Sequence, residues 1–290
     1  MAMKYALLLA LLLLSFACAK RESVEAPPAT TETTAPAPST QPAPPNTAPA
    51  QATVTLPADA PIPKSGVLLW LAADDALASA TEGKVRSWQN ARVPNVTATA
   101  HQADHPPAVV ANALHGHAVV RFDGTDQMLM TTIDIGPARM PEGTIITVFS
   151  STTADASPLR KVYGNDNGGY DRSIGLDDRA PGINFTLFNG TYVIGYFPLA
   201  ANTPYLAVDE YSRNEFSGWV NGTAALTKSA AEWQDDALPN LFIGGSGTVF
   251  NEYWSGDVAE MIVYARKLSD EERKQVEDYL GQKYGVTIGR

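Results

Sequence analysis

The residues best able to do chemistry in this chain are acidic and aromatic, and most lie in stretches rich in glycine and asparagine. Cleaving a glycosidic bond takes two carboxylates held close together on one surface. Alternate positions of a strand share a face, so the signature is acidic residues at short, face-matched spacing. Glu252, Asp257 and Glu260 are the nearest such set, but their spacing does not match and Gly256 interrupts them. Asp209, Glu210 and Glu215 straddle a turn and read as a solvated face. No catalytic residues are expected on this pattern.

Ligand contact is a different matter. Sugars present C–H faces that stack on rings, and hydroxyls that need polar neighbours. Trp233, Tyr253 and Trp254 fall in or near loops beside Asn251 and Glu252, and Tyr163 and Tyr170 flank the run Gly164-Asn-Asp-Asn-Gly-Gly169. These five are the expected ligand-binding residues. The competing reading is that loop aromatics cover sheet ends. Trp70, Trp88 and Trp219 sit in strand contexts and are expected in the core.

Metal chemistry has two candidate sources. His101, His105, His115 and His117 are close in sequence, but Pro106-Pro107 forbids the helix that would align the first two. They read as a polar loop and a strand flank. Calcium takes oxygen ligands from Asp, Asn and carbonyl groups. Asp123 and Asp126 in one turn, and Asp166 and Asp171 with Asn165 and Asn167 in the glycine-rich loop, could supply them. Neither set matches an EF-hand, and Asp, Asn and Gly also simply make turns.

The elements that would position these residues are mostly strands. Val67–Ala72, Ala108–Ala111, Ala118–Phe122, Met128–Thr132 and Gly143–Phe149 are apolar runs rich in β-formers. Ile183–Phe188 and Thr191–Phe197 are separated by Asn189-Gly190, a hairpin signature, and Asn221-Gly222 marks another. Tyr205–Ser212, Phe216–Val220, Thr223–Lys228 and Leu241–Gly244 continue the meander, while Lys161–Gly175 reads as loop. Val258–Tyr264 is apolar enough for a strand buried on both sides, although it carries Glu260. Ser269 and Glu272 then form a capping box, Val276, Tyr279, Leu280 and Tyr284 share one helical face, and Gly285 stops the helix. The pattern predicts an all-β, two-sheet antiparallel sandwich with a single, C-terminal helix.

The N-terminus is read separately. Lys4 precedes the apolar run Tyr5–Phe16, which is shorter than the roughly 20 residues of a membrane span and fits a signal peptide. Ala17-Cys18-Ala19 fits ordinary cleavage. Leu14-Ser15-Phe16-Ala17-Cys18 resembles a bacterial lipoprotein lipobox, which would lipidate Cys18, and Ala19 resembles the outer-membrane sorting pattern. Cys18 is the only cysteine, so no intrachain disulfide forms. The Pro/Ala/Thr-rich segment that follows cannot bury enough apolar area to fold. As a coil of about 40 residues it would reach about 35 Å. The expected organisation is a signal peptide over 1–18, a disordered linker over 19–63 and a globular domain over 64–290. A formal net charge of −10 argues against nucleic acid or an anionic membrane surface as partners, leaving membrane contact to the lipid anchor alone.

Four strings in this order, LLWLAADD, VRFDGTDQML, WVNGT and GDVAEMIVYARKLSDEERKQVEDYLGQKYG, resemble the bacterial LamG-like (concanavalin A-like lectin/glucanase) jelly-roll domains across Ser65 to Arg290. The resemblance implies a jelly roll with one concave face, a glycan or protein ligand and, in many members, one structural calcium ion. Together these readings predict a lipid-anchored, surface-exposed binding module of the cell envelope without catalysis of its own. A polysaccharide-active hydrolase or lyase and a structural or adhesive envelope protein are the alternatives.

Overall fold

The computed structural model describes residues 51–89, 92–93, 96–168, 172–179, 182–189, 192–212, 215–230 and 238–290. The signal segment, Cys18 and the linker up to residue 50 lie outside the described residues, as do Tyr170, Asp171 and Trp233.

The chain opens with β1 (Val67–Ala72), α1 (Ala73–Ser79), β2 (Ser87–Gln89), β3 (Thr97–Ala100), β4 (Ala108–Leu114), β5 (His117–Asp123) and β6 (Leu129–Met130). Its middle holds β7 (Gly143–Ser151), β8 (Arg160–Gly164), β9 (Arg172–Leu176), β10 (Phe185–Asn189) and β11 (Tyr192–Phe197). It closes with β12 (Tyr205–Tyr211), β13 (Glu215–Val220), β14 (Thr223–Ala230), β15 (Phe242–Ile243), β16 (Ser255–Tyr264) and α2 (Asp270–Tyr284). Two antiparallel sheets form a sandwich. The first runs β14-β13-β12-β7-β16-β5-β4, with β1 also pairing β16; the second runs β11-β10-β9-β8-β15-β6-β3-β2. The expected all-β sandwich with a C-terminal helix is what forms. The Asn221-Gly222 turn has φ of 50° and 80° at its two residues, the left-handed pair that a tight hairpin demands.

Several elements depart from the sequence reading. A second helix, α1, follows β1 without a break; at seven residues it is too short for helical periodicity to register. The stretch read as loop between Lys161 and Gly175 contains the last residues of β8 and most of β9. These strands begin with Arg160-Lys161 and Arg172-Ser173 and also carry Gly164 and Gly175, so their apolar signal is diluted. Residues 51–63, expected in the linker, belong with the folded body: Val54 pairs with Val67, and Leu56 and Ile62 are buried.

Alternation along β1 divides the core in two. Leu69 and Leu71 face the second sheet, joining Phe122, Phe149, Val258, Met261, Trp88 and Phe185 between the layers. Trp70 faces the other way, with Ile146, Val148, Val208 and Ile262, and is covered by Val276, Leu280 and Tyr284 of α2 and by Leu56 and Ile62. The first sheet is thus buried on both sides over much of its area, which explains the unbroken apolar run in β16. The capping box forms as read: Glu272 N–H donates to Ser269 Oγ at 3.2 Å and Ser269 N–H to Glu272 Oε2 at 2.9 Å. Gly285 ends α2 at φ 67°.

Glu260 lies fully buried where β1, β16 and α2 meet. It accepts from Trp70 Nε1 at 2.6 Å, Lys283 Nζ at 2.7 Å and the Tyr284 hydroxyl at 2.6 Å. The partners come from the first strand and the last helix. Removing one member of a buried charge pair typically costs about 3–5 kcal/mol because the other charge stays behind. Glu260→Ala is therefore expected to destabilise by that amount, against about 1 kcal/mol for the exposed cap change Ser269→Ala. Urea midpoints measure both, and equal shifts would refute the role given to Glu260.

Candidate functional site

Two loops converge on the second sheet. One, residues 165–168, follows β8; the other, residues 244–254, joins β15 to β16. Asp166 N–H donates to Ser246 O at 2.6 Å, Lys161 N–H to Glu252 O at 3.0 Å and Leu238 N–H to Asn165 O at 2.9 Å. Gly247 lies so close that a Cβ there would come 2.6 Å from Asp166 O. Asn165 Oδ1 accepts from Arg172 N–H, and Asp166 Oδ1 from Gly168 N–H. The glycine-rich loop is thus tied at both ends.

Charged groups gather around this junction. Asp177, directly after β9, is fully buried and accepts from Lys161 Nζ at 3.0 Å and Arg179 Nε at 2.8 Å. Burial opposes its charged form, but hydrogen bonds from Arg179 and the charge of Lys161 win and hold the carboxyl far below the usual range. Arg179 is in turn kept charged by hydrogen bonding to Asp177, with further attraction from Glu252 and Asp166. Its side chain stays 46% exposed, and the guanidinium lies 5.4 Å over the Phe188 ring. Asp177 therefore fixes a cationic fork at the surface. Glu252, half-buried, accepts from Ser246 Oγ at 2.6 Å. Phe250 is exposed beside Gly168, and Tyr253 is half-buried. The arrangement offers a cationic donor, acidic acceptors and apolar rings, the set a hydroxyl-rich ligand needs.

The expected site residues divide sharply. Tyr253 and Asp166 lie at this junction. Trp254 does not serve it: the ring is fully buried, 5.9 Å from Phe149 and 6.3 Å from Phe185, so it packs the core. Tyr163 is likewise buried, pointing between the sheets to donate to Asp209 Oδ2 at 2.8 Å. Both were misplaced because a residue next to a loop can still alternate inward. Asp123 is spent on a turn, accepting from Thr125 N–H, and Asp126 bonds His105 at 2.6 Å. His117 meets Asp74 of α1 at 2.7 Å. Among the described residues no three acidic, histidine or cysteine side chains converge to hold a metal; Asp171, one of the four expected calcium ligands, lies outside the described residues. Lys161, Asp177, Arg179 and Ser246 were missed. Their signal is weak, an Asp-x-Arg after a strand that itself read as loop.

Tyr163 is part of a buried chain that crosses between the layers. Its hydroxyl lies 3.2 Å from that of Tyr211, whose ring sits 4.6 Å from the Arg172 guanidinium. Arg172 Nη1 donates to Ile135 O and Met140 O, and burial lowers the guanidinium to about 10. Burial pushes the Asp209 carboxyl up to about 7, against the Tyr163 hydrogen bond. A carboxyl raised on folding adds stability that is complete below its unfolded value and fades as pH climbs through the folded one. The gap from about 3.9 to about 7 corresponds to on the order of 4 kcal/mol. Stability in urea is expected to fall between pH 4 and pH 8, and to fall less in Asp209→Asn. Parallel pH profiles for the two proteins would show that Asp209 does not titrate in this window.

No family model matches the chain, and no curated protein matches it, so the LamG-like resemblance stands only at the level of the sandwich. Solved structures do share that fold. Domain 4 of AbnA, a GH43 extracellular arabinanase from Geobacillus stearothermophilus, in complex with arabinotriose, superimposes with a TM-score of 0.52 at 11% identity, over 73% of this chain and 97% of that one. A GH54 α-L-arabinofuranosidase soaked with a cyclic sulfate inhibitor gives 0.54 at 12%, over 71% and 52%. Trypanosoma rangeli sialidase with the inhibitor DANA gives 0.50 at 15%, over 78% and 36%. The chain spans about half of the arabinofuranosidase and about a third of the sialidase. These matches correct the expectation that the chain lacks catalysis. The same sandwich occurs within glycoside hydrolases, so neither the fold nor a missing strand motif excludes an enzyme.

Proposed function

We propose that the chain is a carbohydrate-active domain that engages glycan where loops 165–168 and 244–254 meet, and that it acts there as a polysaccharide-active enzyme. The observation that carries this is the grouping of Asp166 and Glu252 around Arg179 beside the Phe250 and Tyr253 rings. The structural likeness to glycoside hydrolases, one of them bound to arabinotriose, supports the same substrate class. In this reading Arg179 donates to sugar hydroxyls and the rings take the C–H faces. Glu252 is the carboxyl within reach of a ligand and exchanges the proton. Asp177 is buried and stays ionised, so it positions Arg179 and does not touch the sugar.

The test incubates the full chain with arabinan, a sialylated glycoprotein, β-glucans and alginate and measures released sugar. Release from one substrate is expected, falling about 100-fold or more in Glu252→Gln, and the Phe250→Ala/Tyr253→Ala double variant is expected to raise KM. Binding on a glycan array without release would keep the ligand class and remove the enzyme. Silence in both assays would leave a structural or adhesive protein.

We also propose that acyl chains on Cys18 tether the domain to a bacterial envelope, most simply the outer membrane. The residues Leu14–Cys18 and the absence of any other cysteine support this. Labelling with a lipid probe is expected to mark the protein and to fail in Cys18→Ala, which should leave the membrane fraction. A Cys18→Ala protein still bound to membrane would end the proposal.

A further inference from the structure

A second polar pocket lies on the opposite side of the sandwich, on the outer face of the first sheet. Its volume is about 210 Å³. Asp257 of β16 is the direct cross-strand partner of both Arg121 of β5 and Ser150 of β7. Residues opposed in this way point to the same face, so the three form a polar line across adjacent strands. Val119, Val148 and Ala259, each on the same face, belong to the outer apolar cluster, which confirms the direction. Leu114 at the end of β4 and Asn202 and Pro204 ahead of β12 complete the pocket.

The polar groups there are only partly used. Arg121 grips Asp257 as a fork, Nε to Oδ1 at 2.7 Å and Nη2 to Oδ2 at 2.8 Å. That leaves Nη1 with its hydrogens and the carboxylate with further lone pairs. Asn202 is exposed and Ser150 half-buried, and among the described residues neither the Ser150 hydroxyl nor the Asn202 side-chain amide has a hydrogen-bond partner. The ion pair is neutral overall, so a free ion gains little there. A neutral ring bearing several hydroxyls gains a good deal: adjacent hydroxyls can donate to Asp257 and accept from Arg121, while Ser150 and Asn202 serve either role. Drug-sized ligands fill about 300–1,000 Å³, so this volume suits one small ring. We infer that the Arg121–Asp257–Ser150 pocket is a binding site for a single neutral monosaccharide unit, separate from the junction on the second sheet.

The test is an amide NMR titration of the full chain with glucose, galactose, mannose, xylose and arabinose, with sulfate and ammonium as charged probes. Saturable shifts centred on Ser150, Asn202 and Asp257 are expected with at least one sugar. Affinity should fall at least about tenfold in Ser150→Ala and in Asn202→Gly, with unchanged melting temperatures. Asn202 has φ 56°, which glycine adopts freely, so that variant removes the side chain without strain. No saturable shift up to about 50 mM, where even a millimolar site is filled, would overturn the inference. So would wild-type affinity in both variants, or tighter binding of a charged probe. Shifts confined to loops 165–168 and 244–254 would also overturn it, while supporting glycan engagement at the first site.

Discussion

The Glu260 carboxylate is the constraint on which the rest of this structure depends. A buried carboxylate is costly unless its lone pairs are filled. Here three donors fill them, and together they tie two parts of the molecule to β16: Trp70 brings β1, while Lys283 and Tyr284 bring the last turn of α2. With α2 in place, the outer face of the first sheet is covered by Val276, Leu280 and Tyr284. With β1 in place, Leu69 and Leu71 complete the core between the layers. One buried acidic residue in a largely apolar strand thus fixes both faces of the central strand.

Polar groups buried in the sandwich serve two different purposes. The chain from Arg172 through Tyr211 and Tyr163 to Asp209 joins the two sheets from inside, in surroundings that shift the groups strongly. Burial disfavours the charged form of Asp209, whose Oδ1 has no hydrogen-bond partner among the described residues. The Lys161–Asp177–Arg179 group does the reverse. Its buried members are fully paired, and the reward is a guanidinium held at the surface. Both groups draw on the same stretch of β8 and β9, with residues alternating inward and outward.

That alternation explains what could be read from the sequence and what could not. The strongest signals were long and local: the apolar run of β16, the Ser269–Glu272 capping box, the helical face of α2 and the Asn221-Gly222 turn, whereas Gly190 of the other Asn-Gly pair lies outside the described residues. Each depends on residues within a few positions of one another. The second sheet was harder, because β3, β8 and β9 are short and carry polar or small residues on their outer face. One of those residues, Lys161, also serves the candidate site through its pairing with Asp177. Tyr163 and Trp254 failed for a related reason. Their place beside loops was correct, but the direction of a side chain depends on register, which only pairing sets. Asp177 and Arg179 gain meaning from Lys161 sixteen residues earlier, a relation no local pattern contains.

The pairing of β1 with β16 also governs when this protein can fold. Trp70 and Glu260 are separated by 190 residues, and β16 supplies the partner for β1, β5 and β7. A ribosome makes the first strand long before the last, so β1 waits without its neighbour through nearly all of synthesis. Contacts this distant also slow the search once the chain is complete. A product truncated before residue 255 would present three strand edges with nothing to close them, the condition that invites aggregation. The architecture therefore makes completeness of the chain a precondition of structure, and an unfinished copy would be open to proteolysis over its whole length.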